Sequence, residues 1–295
     1  MNVDSRPSRQ TASVSEQSLE LRAAAERLDQ WFAECPKAAV AFSGGVDSSL
    51  VAYWARRQLG STRVSAWIGD SPSLKRDDLD TARRFCAQQD ITLRELATDE
   101  LGNPAYARNP VDRCFHCKST LYSRLAEALS REGDEEVWIC SGANLDDRGD
   151  YRPGMEAAAR AKIRHPLLEC GIGKTMIRAL ARAEGLHVWD KPASPCLSSR
   201  IPYGQPVTRE KLAQIEAAEN WLNARGFEVC RVRHFGVSAR VEVPVPRRAD
   251  LTHIFAEFSQ ACAQFGFENV DLDPEGFVSG KLNRGFSRAV TDVSE

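Results

Sequence analysis

Residues 43–49 read Ser-Gly-Gly-Val-Asp-Ser-Ser and lie between an apolar run, Ala38–Phe42, and an amphipathic segment, Ser48–Leu59. A strand that gives way to a helix through two glycines turns tightly and presents backbone N–H groups to an anion at the positive end of the helix dipole. The same alternation continues: strands are expected at Val64–Ile68, Ile91–Leu96 and Val137–Cys140, and helices at Leu74–Gln88 and Cys117–Ser130. Short apolar runs separated by helices predict an α/β fold with a doubly wound, mostly parallel sheet. In such sheets ligands bind at the carboxyl ends of the strands.

The rest of the chain reads as a second, smaller α/β domain. Lys191–Gly204 holds three prolines and no periodicity, which marks a loop or linker. Thr208 is placed to cap a helix reaching about Arg225, and strands follow at Phe227–His234 and Ala239–Val243. A helix near Asp250–Gln264 and a strand near Asn269–Leu272 complete the domain. The expected organisation is a disordered lead-in over 1–17, a nucleotide domain over 18–190, a loop and linker over 191–207, a small domain over 208–280 and a tail over 281–295.

Among 295 residues, 39 are Lys or Arg and 41 are Asp or Glu, a formal charge of −2. That excludes a uniformly basic nucleic-acid coat. No apolar run approaches the ~20 residues of a membrane helix. The polar, Ser-rich start lacks a secretory pattern, so a cytoplasmic protein is expected. Charge is nevertheless uneven: residues 160–240 carry fourteen Lys/Arg against seven Asp/Glu. Lys174, Arg178, Arg200, Arg231 and Arg233 are candidates for an anionic ligand. Arg231 and Arg233, two apart on one strand, point to the same face.

Nine cysteines with irregular spacing do not suggest a disulfide framework. Cys196 sits in Pro-Cys-Leu-Ser-Ser-Arg, where a nearby guanidinium from Arg200 would favour the nucleophilic thiolate. Cys114 and Cys117 form a C-x-x-C directly before a helix. With Cys196 they make three thiols, enough for a [4Fe–4S] cluster with one open iron. Leu212, Ile215, Glu219 and Leu222 share one helix face, so Glu219 interrupts an apolar stripe. A buried acid needs a cation: Arg231 or Arg233, or Mg²⁺.

The Ser43–Ser49 string resembles the PP-loop of ATP pyrophosphatases, which adenylate a substrate and release pyrophosphate. Further strings narrow the likeness: Pro110–Lys118, Gly142–Asp147, Tyr151–Gly154, Trp189–Gly204 and Arg231–His234. Together they resemble the LarE family of ATP-dependent sulfur transferases, over essentially all of 16–275. The resemblance implies that ATP is held by Ser43, Gly44, Gly45, Val46, Asp47, Ser48, Ser49, Asn144 and Asp146, with Mg²⁺. Lys174, Ser199, Arg200, Arg231 and Arg233 would serve substrate or phosphate, and Glu219, Glu242 and Asp250 would be acidic residues near the site, possible metal ligands. Cys196 would carry the sulfur chemistry.

The implied reaction converts the carboxylates of a pyridinium-3,5-biscarboxylate mononucleotide to thiocarboxylates in nickel-pincer cofactor synthesis. The sulfur would come from cluster-bound sulfide or from Cys196 itself. A homo-oligomer is expected, acting on a small nucleotide with neither nucleic acid nor membrane as partner. The competing readings are a tRNA thiolase of the same superfamily and a non-catalytic ATP-binding sensor.

Overall fold

Strand β1 (Lys37–Ala41) is apolar on both faces, with Ala38, Ala39 and Val40 buried, so it can only be a central strand. A computed structural model describes residues 9–133, 136–147, 153–278 and 281. The chain divides into two units: the first comprises Met1–Asp70, Arg76–Thr98 and Cys114–Ser194, the second Ser71–Lys75, Asp99–Arg113 and Pro195–Glu295. In the first, β1 pairs in parallel with β2 (Val64–Asp70) and β4 (Val137–Ser141), and β2 pairs in parallel with β3 (Thr92–Ala97). The order is β3-β2-β1-β4, with Val40 opposite Ala66 on one side and Cys140 on the other.

Three helices frame the early strands: α1 (Arg9–Ala33), α2 (Val46–Leu59) and α3 (Arg76–Gln88). Helix α2 buries Leu50, Val51, Trp54 and Ala55. Another sheet face is covered by the helices Arg113–Arg131 and Pro153–Arg160, whose Leu121, Leu125, Leu129 and Ala157 pack with Ala39, Ala41 and Trp67. The chain runs outward from β1 to β3, then returns to place β4 on the opposite side of β1. That reversal opens a crevice at the carboxyl ends of β1 and β4. It is where residues 43–49 and 142–147 both lie.

In the second unit β5 (Arg231–Phe235) and β6 (Ser238–Glu242) form an antiparallel hairpin, and β7 (Asn269–Leu272) pairs in parallel with β6. The hairpin turns at Gly236, whose φ of +70° favours glycine. Helices Arg209–Asn223 and Phe255–Gln264 bury Ala218, Leu222, Phe258 and Cys262 against Val232, Ala239 and Val241. Thr208 caps the first of these, its Oγ1 accepting from Lys211 N at 3.3 Å, as its position predicts.

Several boundaries differ from expectation. Helix α1 begins at Arg9, inside the anticipated lead-in; residues 1–8, Tyr151, Arg152 and 282–295 lie outside the described residues. The helix expected over 250–264 is two, Arg248–His253 and Phe255–Gln264, broken at Ile254. Segments 71–75 and 99–113, which follow β2 and β3, belong to the second unit. Among the described residues no helix is long and apolar enough to cross a membrane.

Candidate active site

The loop between β1 and α2 is held by its own serines. Ser43 N donates to Ser48 Oγ at 3.2 Å, and Ser48 Oγ donates to Gly45 O at 3.2 Å. Gly44 adopts φ +67°, and a Cβ there would sit 3.3 Å from Asp78 O. Gly45 starts α2 with no side-chain cap, leaving the first-turn N–H groups for a ligand to satisfy. Gly142, just after β4, lies so close to this turn that a Cβ would stand 2.6 Å from Ser48 N.

Asp47 is the electrostatic centre of the loop. Its Oδ2 accepts from Lys174 Nζ, while Oδ1 is buried without a hydrogen-bond partner among the described residues. Ser49 Oγ is in the same condition. Burial pushes the Asp47 carboxyl above its ordinary value, and the Lys174 ammonium opposes it. Two buried oxygens at a helix N-terminus, both without a hydrogen-bond partner among the described residues, suit a Mg²⁺–nucleotide.

The neighbouring loop after β4 is folded on itself. Asp146 N donates to Asn144 Oδ1 and Asn144 N to Asp147 Oδ2, both at 3.0 Å, while Asp146 Oδ2 accepts from Lys174 N at 2.5 Å. Asn144 and Asp146 thus shape this loop and place Lys174. A second lysine, Lys191, donates to Gly44 O at 3.0 Å and pairs with Asp78 Oδ1 at 3.0 Å. Ser194 Oγ donates to Asp78 Oδ2 at 2.7 Å. Sequence reasoning gave neither Asp78 nor Lys191 a role, although Lys191 lies in the same string as Cys196.

In the second unit, the Cys196 loop is gripped by buried arginines. Arg200 is fully buried; its Nη1 donates to Pro195 O at 2.6 Å, Cys196 O at 3.0 Å and Ser199 Oγ at 2.9 Å. Its Nε and Nη2 form a fork on Glu219, at 2.8 and 2.9 Å. Arg233 Nη1 donates to Ser199 O at 2.8 Å while Nε and Nη2 hold Glu242, at 3.0 and 2.9 Å. Arg113 Nη1 donates to Ser198 O at 3.0 Å. Below the loop, the hydroxyls of Ser73, Tyr106 and Ser198 meet at 2.6–2.9 Å, and Leu197 N donates to Ser73 O at 2.8 Å. With its carbonyls turned inward, the loop leaves Cys196 exposed.

This geometry corrects several expectations. Arg200 holds the loop backbone and Glu219, so it is neither a thiolate partner nor a ligand-facing group. Glu219 is buried as expected, but its cations are Arg200 and Lys75 (2.5 Å) rather than Arg231 or Arg233; Val232 N also donates to it at 3.0 Å. Burial alone would raise its carboxyl; Arg200 and Lys75 hold it down to about 2. Glu242 is taken by Arg233, and Asp250 pairs with Arg247 at the surface, at 2.7 Å. Arg231 donates to Cys230 O at 2.7 Å and lies 5.2 Å from the Phe277 ring.

Glu219, Glu242 and Asp250 each pair with an arginine. Among the described residues no group of three or more His, Cys, Asp or Glu is arranged to hold a metal ion. Cys114 and Cys117 lie in the first turn of the helix Arg113–Arg131, not before it, because Asn109 (φ +58°) reverses the chain and Arg113 N bonds to Pro110 O at 3.0 Å. Their three-residue spacing puts both on one helix face, in the first unit, whereas Cys196 belongs to the second.

Residues 24–104 match the model of the NAD synthase family. Over 261 residues the chain is 41% identical to an uncharacterized protein of Synechocystis sp., covering 88% of this chain and 96% of that one. Over 250 residues it is 35% identical to the pyridinium-3,5-bisthiocarboxylic acid mononucleotide synthase of Lactiplantibacillus plantarum, covering 85% of this chain and 90% of that protein. The chain belongs to the LarE family. It is therefore an enzyme of the PP-loop ATP pyrophosphatase superfamily. A more distant likeness, 25% over 229 residues, links it to the tRNA-specific 2-thiouridylase MnmA of Clostridium beijerinckii, spanning 64% of this chain and 63% of that one.

Proposed function

We propose that this LarE-family enzyme adenylates the carboxylates of pyridinium-3,5-biscarboxylate mononucleotide and replaces an oxygen of each by sulfur. The observation that carries the reading is the PP-loop with its two orphaned buried oxygens, Asp47 Oδ1 and Ser49 Oγ, in a chain 35% identical to a synthase of that bisthiocarboxylic mononucleotide. A carboxylate resists sulfur nucleophiles because oxide is a poor leaving group. Its oxygen attacks the α-phosphorus of ATP, the bond to the β-phosphate breaks and pyrophosphate departs. The first-turn N–H groups of α2, Ser43, Gly44, Gly45, Val46, Ser48 and Ser49 cradle that anion, and Lys174 stands beside it. Asp47 Oδ1 would hold Mg²⁺, which neutralises phosphate charge when bound. Asn144 and Asp146 keep the adjoining loop in place. Sulfur then attacks the acyl carbon, the C–O bond breaks and AMP leaves with the oxygen.

Cys196 is the residue that brings sulfur to this carbon or holds its carrier. A [4Fe–4S] cluster on Cys114, Cys117 and Cys196 is one route that the resemblance implies; Cys114 and Cys117 share one helix face, and Cys196 is exposed on the arginine-held loop. Held by these three thiolates, such a cluster would supply the sulfide and spare Cys196. The other route takes the sulfur of Cys196, whose Cβ–S bond breaks as the Cα proton is lost, leaving dehydroalanine. The buried arginines of the second unit, Arg113, Arg200 and Arg233, act in this reading as scaffold for the Cys196 loop.

Anaerobically purified enzyme, ATP, Mg²⁺ and the mononucleotide test the proposal by intact mass, visible absorption and pyrophosphate release. Thiocarboxylate product with unchanged protein mass and broad visible absorption supports the cluster route. Product with loss of one H₂S from the protein supports the sacrificial one. Pyrophosphate release only with tRNA, or none with any acceptor, overturns the substrate assignment in favour of a thiolase or a sensor.

A further inference from the structure

Two buried polar residues, Asn109 and Arg113, are joined to the Cys196 loop. Asn109 is fully buried and sits at φ +58°, a left-handed conformation that asparagine tolerates better than most residues. Its Nδ2 donates to Ile201 O at 3.2 Å and Pro202 O at 2.8 Å, its carbonyl accepts from Gly204 N at 2.9 Å, and its Oδ1 accepts from Arg113 Nη1. The same Arg113 Nη1 reaches Ser198 O at 3.0 Å, and the guanidinium stands 5.6 Å from the Tyr203 ring. Nearby, Val207 N donates to Ala107 O at 2.8 Å. Segments 106–113 and 198–207 are therefore laced together by backbone and side chain, with Cys196 two residues upstream of the first anchored carbonyl.

We infer that Asn109 and Arg113 are positioning residues for sulfur transfer: they fix the backbone on which Cys196 stands. The inference rests on Cys196 as the sulfur-bearing residue of the proposed reaction. It differs from a folding role because the PP-loop and its α2 turn belong to the other unit, so adenylation should survive when the lacing is loosened. A site held within fractions of an ångström loses rate steeply when its support relaxes.

The test uses Asn109→Gly, Arg113→Lys and Arg113→Met in the full-length enzyme. Glycine keeps the left-handed backbone and removes only the amide, so Asn109→Gly separates hydrogen bonding from strain. Expected in Asn109→Gly and Arg113→Met are pyrophosphate release within about twofold of wild type and thiocarboxylate formation down at least tenfold. Arg113→Lys, which keeps a donor for Ser198 O, should recover part of the loss. Independently, alkylation of Cys196 by iodoacetamide, followed on its own peptide by mass spectrometry, should change several-fold in Asn109→Gly. An unchanged alkylation rate, or pyrophosphate release falling in step with product, overturns the inference. If wild type itself makes no thiocarboxylate, the proposed function fails, and the alkylation rates still decide whether these residues position the loop.

Discussion

Replacing Glu219 by glutamine removes the charge that two buried cations share. Glu219 and Arg200 are 1% and 0% exposed, and Lys75 Nζ lies 2.5 Å from the carboxylate. A carboxyl held down at about 2 from an ordinary 4.5 contributes roughly 3 kcal/mol of stability at neutral pH. Because the folded-state value is the lower one, that contribution is whole above pH 4.5 and disappears as pH falls toward 2. Glu219→Gln also leaves Arg200 and Lys75 buried beside a neutral amide, and breaking such a pair from one side costs about 3–5 kcal/mol. Taking roughly 4 kcal/mol, and about 3–5 °C per kcal/mol for a unit of this size, the second unit's thermal transition should fall by about 12–20 °C at pH 7. Circular dichroism melts measure it. The gap between variant and wild type should narrow from pH 5 to pH 2.5. A control with Arg200→Met and Glu219→Leu together should lose less than the single change, since the fully buried guanidinium is no longer stranded and only the partly exposed Lys75 loses its partner. A drop below about 3 °C at pH 7 would refute the claim that this ion group supports the Cys196 loop.

Other outcomes follow from the same geometry. Gly142→Ala forces a Cβ to within 2.6 Å of Ser48 N, so ATP-dependent pyrophosphate release should be abolished while circular dichroism stays near wild type; normal release would remove Gly142 from the cradle. Asp47→Asn keeps a partner for Lys174 but removes the charge for Mg²⁺, and should raise the Mg²⁺ concentration for half-maximal pyrophosphate release at least tenfold. Lys191→Met should weaken ATP binding measured by calorimetry, because the ammonium on Gly44 O is the second positive charge at the loop; an unchanged affinity would make it purely structural.

The parallel sheet and the glycine turn from β1 into α2 were legible because their signals are local. An apolar run, two glycines and an amphipathic helix occupy consecutive positions, and Thr208 caps its helix through a contact three residues away. The support of Cys196 was not legible, because its partners are distant in sequence. Lys75 meets Glu219 across 144 positions, and Arg113 meets Ser198 across 85. No periodicity marks such a lysine or arginine beforehand. Arg200 shows the limit from the other side. Its spacing from Cys196 correctly places it on the same loop, but spacing does not tell which way a side chain turns, and it turns inward to Glu219. The interrupted apolar stripe did reveal that Glu219 is buried and needs a cation, a constraint that burial imposes whatever the partner. The C-x-x-C helix starts at Arg113 rather than Cys117, four residues earlier than its periodicity predicts.

In the proposed reaction a substrate carboxylate is joined to AMP, and sulfur then displaces the AMP. Oxygen-18 in the substrate carboxylates tests it directly. The enzyme with ATP, Mg²⁺ and labelled mononucleotide should release AMP carrying one labelled oxygen on phosphorus for each sulfur that enters the product, with an equal amount of pyrophosphate. Cys196→Ala should still release pyrophosphate and give no thiocarboxylate. Thiocarboxylate formed with unlabelled AMP, or with ADP and phosphate in place of AMP and pyrophosphate, would contradict the adenylate and with it the reading of the Ser43–Ser49 loop.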